Sequence, residues 1–136
     1  MIKLNLTKPP TLDTISPFFI VSDVSRAIRF YEDWLGFELR FTEPASNPFF
    51  AIMGRDSVQV FLKSVPDGIA AQPNHTRHEW AAWDAFVYTG DPDSLAAEFV
   101  SRGLAFHKAI ADRSDGLRGF EVSDPDGYIL FFGRTN

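Results

Sequence analysis

The chain has 136 residues, 45% hydrophobic and 15% aromatic, with 14 Phe, a net charge of -5 and no cysteine. That length suits one domain with a real core. The missing thiols exclude disulfides, a thiolate nucleophile and Cys-ligated zinc, and the acidic balance with no basic stripe argues against a nucleic-acid partner.

Residues 1–14 read as an arm. Ile2, Leu4 and Leu6 alternate with polar residues and Pro9-Pro10 stops the pattern. Such an arm can pair with a sheet edge of its own domain or of a partner. The alternation does not resemble a signal-peptide core, and no apolar run reaches the length of a membrane span. A cytoplasmic protein with no membrane partner is expected.

Ile15 to Val21 reads as a strand, and Asp23 caps a helix whose apolar residues Val24, Ala27, Ile28, Tyr31 and Leu35 share one face. Gly36 ends it at the left-handed position. Strands are expected at 37–42, 49–53 and 58–62, with a turn at 54–57. Residues 63–79 form a long polar connection, a linker between halves or a functional loop. Trp80 to Thr89 reads as strand-like. Asp91-Pro92 opens a second helix with Leu95, Ala96, Phe99 and Val100 on its apolar face, and Gly103 closes it. A strand at 104–110 and a polar loop at 111–118 lead to the closing hairpin, Gly119 to Phe132. Its Asp124-Pro125-Asp126-Gly127 connection has the residues a tight turn needs.

The halves repeat at an offset of about 70 residues, each a βαβββ unit. The expected fold is α+β, two such modules at about 15–63 and 80–134 within one domain, 15–136. One helix covers one face of each sheet. The other faces are left to bury each other or to enclose a cleft.

Phe18-Phe19-Ile20-Val21-Ser22-Asp23-Val24, Ala27-Ile28-Arg29-Phe30-Tyr31, Leu35-Gly36-Phe37 and Arg118 to Gly127 together resemble the vicinal-oxygen-chelate superfamily. That superfamily holds glyoxalase I, extradiol dioxygenases, fosfomycin-resistance enzymes and bleomycin-resistance proteins. The resemblance spans roughly residues 15 to 134 and implies two βαβββ modules forming a cup. Its enzymes hold a divalent metal with His and Glu. The corresponding positions here are Ser16, Gln59 or Phe61, Asp84 and Phe131. A divalent ion wants three or more His or carboxylate ligands, and this set supplies one. No metal and no cofactor are expected.

Among these relatives the bleomycin-resistance type fits best: metal-free, small, acidic, dimeric, with a ligand groove at the subunit interface. The resemblance therefore implies a homodimer that sequesters a small organic molecule, and the acidic balance permits a cationic one. Period-two counting places Phe18, Phe61, Phe86 and Phe131 on one strand face. The expected ligand-binding residues are Phe50, Gln59, Phe61, Trp80 and Trp83, together with Asp84, Phe86, Arg118 and Phe131. None is expected to be catalytic. Two other readings stand beside this one. The first is a metal-dependent lyase or dioxygenase with unusual ligands from Asp84, His78, Glu79 or His107. The second is a structural or regulatory dimer whose cup is filled by its own rings. His75 and His78 lie in the long connection, where solvated loop histidines are expected.

Overall fold

The structure is a computed structural model and describes residues 8–66 and 69–136. The order is β1 (Phe18–Ile20), α1 (Val24–Leu35), β2 (Glu38–Glu43), β3 (Phe50–Arg55), β4 (Val58–Lys63), then β5 (Ala85–Tyr88), α2 (Pro92–Ser101), β6 (Lys108–Asp112), β7 (Leu117–Ser123) and β8 (Ile129–Thr135). Two four-stranded sheets result, ordered β1-β4-β3-β2 and β5-β8-β7-β6. In each, the first strand runs parallel to the last and the other pairs are antiparallel. The repeat read from the sequence is thus a repeat of topology.

Local chemistry sets the boundaries. The Asp23 carboxylate accepts from the Arg26 N–H at the start of α1, and Gly36 ends it at φ 68. Asp91 caps α2 through Ser94, with Pro92 in the first turn. The β3–β4 turn is tighter than the sequence suggested: β3 runs through Arg55, and Asp56 takes a positive φ of 54. Trp80 to Asp84 is not strand. A 3-10 turn at Asn74–Thr76 and a bond from the Ala81 N–H to the His78 carbonyl hold that segment in turns, so β5 starts at Ala85.

Each helix covers one face of its sheet. Val24, Ala27, Ile28, Tyr31 and Leu35 meet Phe19, Ala51, Met53, Val60 and Leu62; Phe99 meets Phe120 and Phe132 edge-on. The two layers merge into one core. At the seam, the Tyr128 ring stacks on Phe19 at 4.2 Å and its hydroxyl donates to the Ile20 carbonyl at 2.6 Å. Arg55 forks onto Glu98 of α2 at 2.7 and 2.8 Å. The closing turn also sits at this seam. Asp124 is buried, accepts from the Asp126 and Tyr128 N–H groups, and lies 3.4 Å from the Tyr31 hydroxyl. Burial pushes the Asp124 carboxyl up to about 7.

Residues 8–17 form no strand, so β1 starts at Phe18 rather than Ile15 and the arm extends to Pro17; Leu12 and Ile15 are 99% and 94% exposed. The alternating Ile2, Leu4 and Leu6 lie outside the described residues. Among the described residues no helix is long and apolar enough to cross a membrane.

Candidate functional site

The site follows from the sheet faces that the helices leave uncovered. Residues opposite one another on paired strands point to the same face, and alternate residues along a strand share it. Register gives one row across the first sheet: Phe18, Phe61, Ile52, Phe41. Phe50 and Gln59 fall on the same face, two residues along β3 and β4. Phe18, Phe50 and Phe61 lie with ring centroids 5.8 to 6.1 Å apart, and Phe41 meets Phe50 edge-on. Phe18 and Phe41 keep about half their surface in solvent, 57% and 48%.

The corresponding row of the second sheet is Phe86, Phe131, Glu121, Lys108. Trp83 stacks on Phe131 at 4.3 Å, Phe86 lies 5.0 Å from Phe131, and Tyr88 lies 4.4 Å from Phe86. The two faces do not bury each other. Among the described residues no ring of one group pairs with a ring of the other, and Tyr88 is 76% exposed.

Between the groups, at the seam of the two sheets, is a cleft of about 510 Å³. It is lined by Gln59, Asp84, Phe86 and Tyr88, with Ser16 and Pro17 of the arm at its edge. That volume lies in the range of clefts that hold small organic ligands.

Not every expected site residue reaches this surface. Phe50, Gln59, Phe61, Trp83, Phe86 and Phe131 lie on the helix-free faces, in two groups, one per sheet. Trp80 stands apart, 84% exposed and edge-on to the His78 ring at 5.5 Å. Arg118 is a correction. It shares the helix side of β7 with Phe120 and Val122, because its neighbours Gly119 and Glu121 take the open face. There it forks onto Asp93 of α2 at 2.6 and 2.9 Å and bonds Asp112 at 3.0 Å. Asp84 lines the cleft but its oxygens are committed: Oδ1 accepts from the Asn74 N–H and Oδ2 from the Ile129 N–H, both at 2.8 Å.

These positions decide whether the metal of the resembling enzymes fits. Ser16 is a hydroxyl, Gln59 a neutral amide, Phe61 and Phe131 are phenyl rings, and Asp84 is occupied by backbone donors. His78 accepts from the Trp80 N–H through Nδ1, and His75 bonds the Gly127 carbonyl. Among the described residues no group of three or more His, Asp or Glu could hold an ion. The donor set does not fit a divalent metal.

The feature sequence reading missed is Glu121. A charged residue in an alternating strand ordinarily points to solvent. Instead it sits on the open face at 2% exposure. Its Oε2 accepts from the Trp83 indole N–H at 3.0 Å. His107 Nε2 lies 3.8 Å from Oε1, and Arg113 Nη1 lies 3.7 Å from Oε2. Aligning the halves strand by strand would have exposed it, since Glu121 stands where the first sheet has Ile52.

The sequence model of the Glyoxalase/Bleomycin resistance protein/Dioxygenase superfamily matches residues 11–132. No curated protein matches the sequence. Among solved structures, TioX from Micromonospora sp. ML1 superposes with a TM-score of 0.69 at 20% identity, covering 91% of this chain and 99% of that one. The bleomycin-binding protein of Streptomyces verticillus, solved with copper(II)-bleomycin, gives 0.67 at 22% identity over 94% and 100%. TnmS3, an antibiotic-binding protein from Streptomyces sp. CB03234, gives 0.67 at 20% over 94% and 100%. With the duplicated βαβββ architecture and a family match over nearly the whole chain, the protein belongs to the Glyoxalase/Bleomycin resistance protein/Dioxygenase superfamily.

Proposed function

We propose that the protein binds a small organic molecule without transforming it, in the manner of the bleomycin-resistance type, and uses no metal to do so. The carrying observation is the pair of aromatic groups on helix-free faces, Phe18, Phe41, Phe50 and Phe61 on one sheet and Trp83, Phe86, Tyr88 and Phe131 on the other. Flat rings of this kind suit a planar or extended ligand, with Gln59 available as a polar contact. The net charge of -5 favours a cationic one. Two similar structures being those of a bleomycin-binding and an antibiotic-binding protein supports the same reading. The half-exposed Phe18 and Phe41 and the bare Leu12 and Ile15 of the arm fit a homodimer in which a second copy closes the groove. A cytoplasmic location belongs to the same reading.

Calorimetric titration of chelator-treated protein with metal-free bleomycin and a panel of flat aromatic cations tests it. Saturable binding that is indifferent to chelator is expected, with a dimer by light scattering. Stoichiometric, chelator-sensitive Mn, Fe, Ni or Zn in the purified protein would overturn the binding-only reading.

A further inference from the structure

The second sheet buries a carboxylate, Glu121, where its sister has a partly exposed Ile52, and an arginine lies over it. The Arg113 guanidinium carbon is 5.0 Å from the Trp83 ring centroid and 5.6 Å from that of Phe131. Arg113 Nη1 is 3.7 Å from Glu121 Oε2. Trp83, Phe131 and Glu121 therefore form two aromatic surfaces and an anion around one planar cation, which is the chemistry of an organic-cation site.

Three features distinguish this from an ordinary structural ion pair. Arg113 enters from outside, its side chain 33% exposed, while Glu121 is 3% exposed. It belongs to the short 113–116 connection between β6 and β7, where Asp115 already holds it at 3.0 Å. The guanidinium can thus leave Trp83 and keep a carboxylate partner. Finally, its contact with Glu121 is longer than a hydrogen bond, and Glu121 Oε1 has no hydrogen-bond partner among the described residues; its nearest cation is His107 at 3.8 Å.

We propose that the Trp83–Phe131–Glu121 cluster is a binding subsite for a flat organic cation, an amidinium or guanidinium on an aromatic or alkyl carrier, and that Arg113 fills it as a built-in competitor until such a ligand displaces it. The proposal rests on the ligand-binding reading above and adds the charge of the group recognised, the residue that recognises it and the residue that must move. The Glu121 carboxylate neutralises the incoming cation, Trp83 and Phe131 flank it from one side, and Arg113 turns to Asp115.

Benzamidine and its neutral isostere benzamide, titrated into the full chain by tryptophan fluorescence, test this. Arg113→Ala removes the competitor and is expected to tighten benzamidine at least tenfold. Glu121→Gln keeps an acceptor for the Trp83 N–H and removes the charge, and is expected to weaken benzamidine at least tenfold. Benzamide is expected to respond to neither change. Arg113→Gln, which retains the side-chain stem over the rings, stands in should the alanine variant fail to fold. Equal responses of benzamidine and benzamide, or no gain on removing Arg113, would overturn the exchange. If flat aromatic ligands still bind in that case, the general binding function stands and only the cation subsite falls. If no compound binds any variant, both readings fall together.

Discussion

The two halves carry the same strands in the same order, yet their open faces differ at two positions of one row. Across the first sheet the row is Phe18, Phe61, Ile52, Phe41; across the second it is Phe86, Phe131, Glu121, Lys108. The first row is apolar and half-open. The second is closed: Phe131 is 1% exposed beneath Trp83, and Arg113 lies over both. Burying a carboxylate is costly unless donors compensate it. Glu121 therefore draws in Trp83, Arg113 and His107, and these close the face that its sister leaves bare. Two charged positions, Glu121 and Lys108, make the repeated surfaces unequal, one an aromatic wall and the other a polar pocket.

The largest expected effect breaks this comparison at its centre. Phe131→Ala removes a fully buried ring packed on Trp83 and Phe86, and is expected to cost about 3–5 kcal/mol in denaturant unfolding. The register-equivalent Phe61→Ala empties a half-buried position and is expected to cost less than about 2 kcal/mol. Equal costs would mean that the first face is as closed as the second.

The turns that join the last two strands of each half differ as well. The first, at Asp56-Ser57, is exposed, whereas the second buries Asp124 at the seam. Burial raises the Asp124 carboxyl from 3.8 to about 7. The folded protein then holds a proton that the unfolded chain has already released above pH 4. This contribution to stability is fully present below the unfolded value and is lost as pH rises through about 7. Chemical denaturation at pH 5 and pH 8 should differ by about 1–3 kcal/mol in favour of pH 5. Asp124→Asn, which keeps an acceptor for the Asp126 and Tyr128 N–H groups, should flatten that difference.

The smallest effect concerns Trp80. At 84% exposure and outside both ring groups, its replacement by Ala should change stability by no more than about 0.5 kcal/mol. Trp83→Ala should cost several times as much, since it removes both the stack on Phe131 and the donor to Glu121. A comparable cost at the two positions would place Trp80 in a contact that the single chain does not show.

Much of the fold was legible because local chemistry and periodicity agreed. Asp23 and Gly36, Asp91 and Gly103, and the Asp-Pro-Asp-Gly turn mark boundaries through capping and turn geometry, which act over a few residues. The repeat then dictated which strands pair. The site was legible only in part. Phe61 and Phe131 could be placed by counting in twos from a recognised strand. Arg118 could not, because a long basic side chain reads the same on either face until the partner strand is known. Asp84 looked available because its partners, the Asn74 and Ile129 N–H groups, are supplied by the long connection and by the start of β8. Glu121 escaped because a charged residue in an alternating strand ordinarily points to water. Only the tertiary approach of Trp83 and Arg113 makes burial tolerable there.

The central claim, a ligand held by aromatic faces without a metal, is tested most directly by a crystal structure of the protein with the tightest-binding compound of the titration panel. The ligand's plane is expected against Phe50 and Phe61, or against Trp83, Phe86 and Tyr88, at the cleft lined by Gln59, with no ion between ligand and protein. A ligand bridged to the protein by a metal, or one seated away from both aromatic groups, would contradict it.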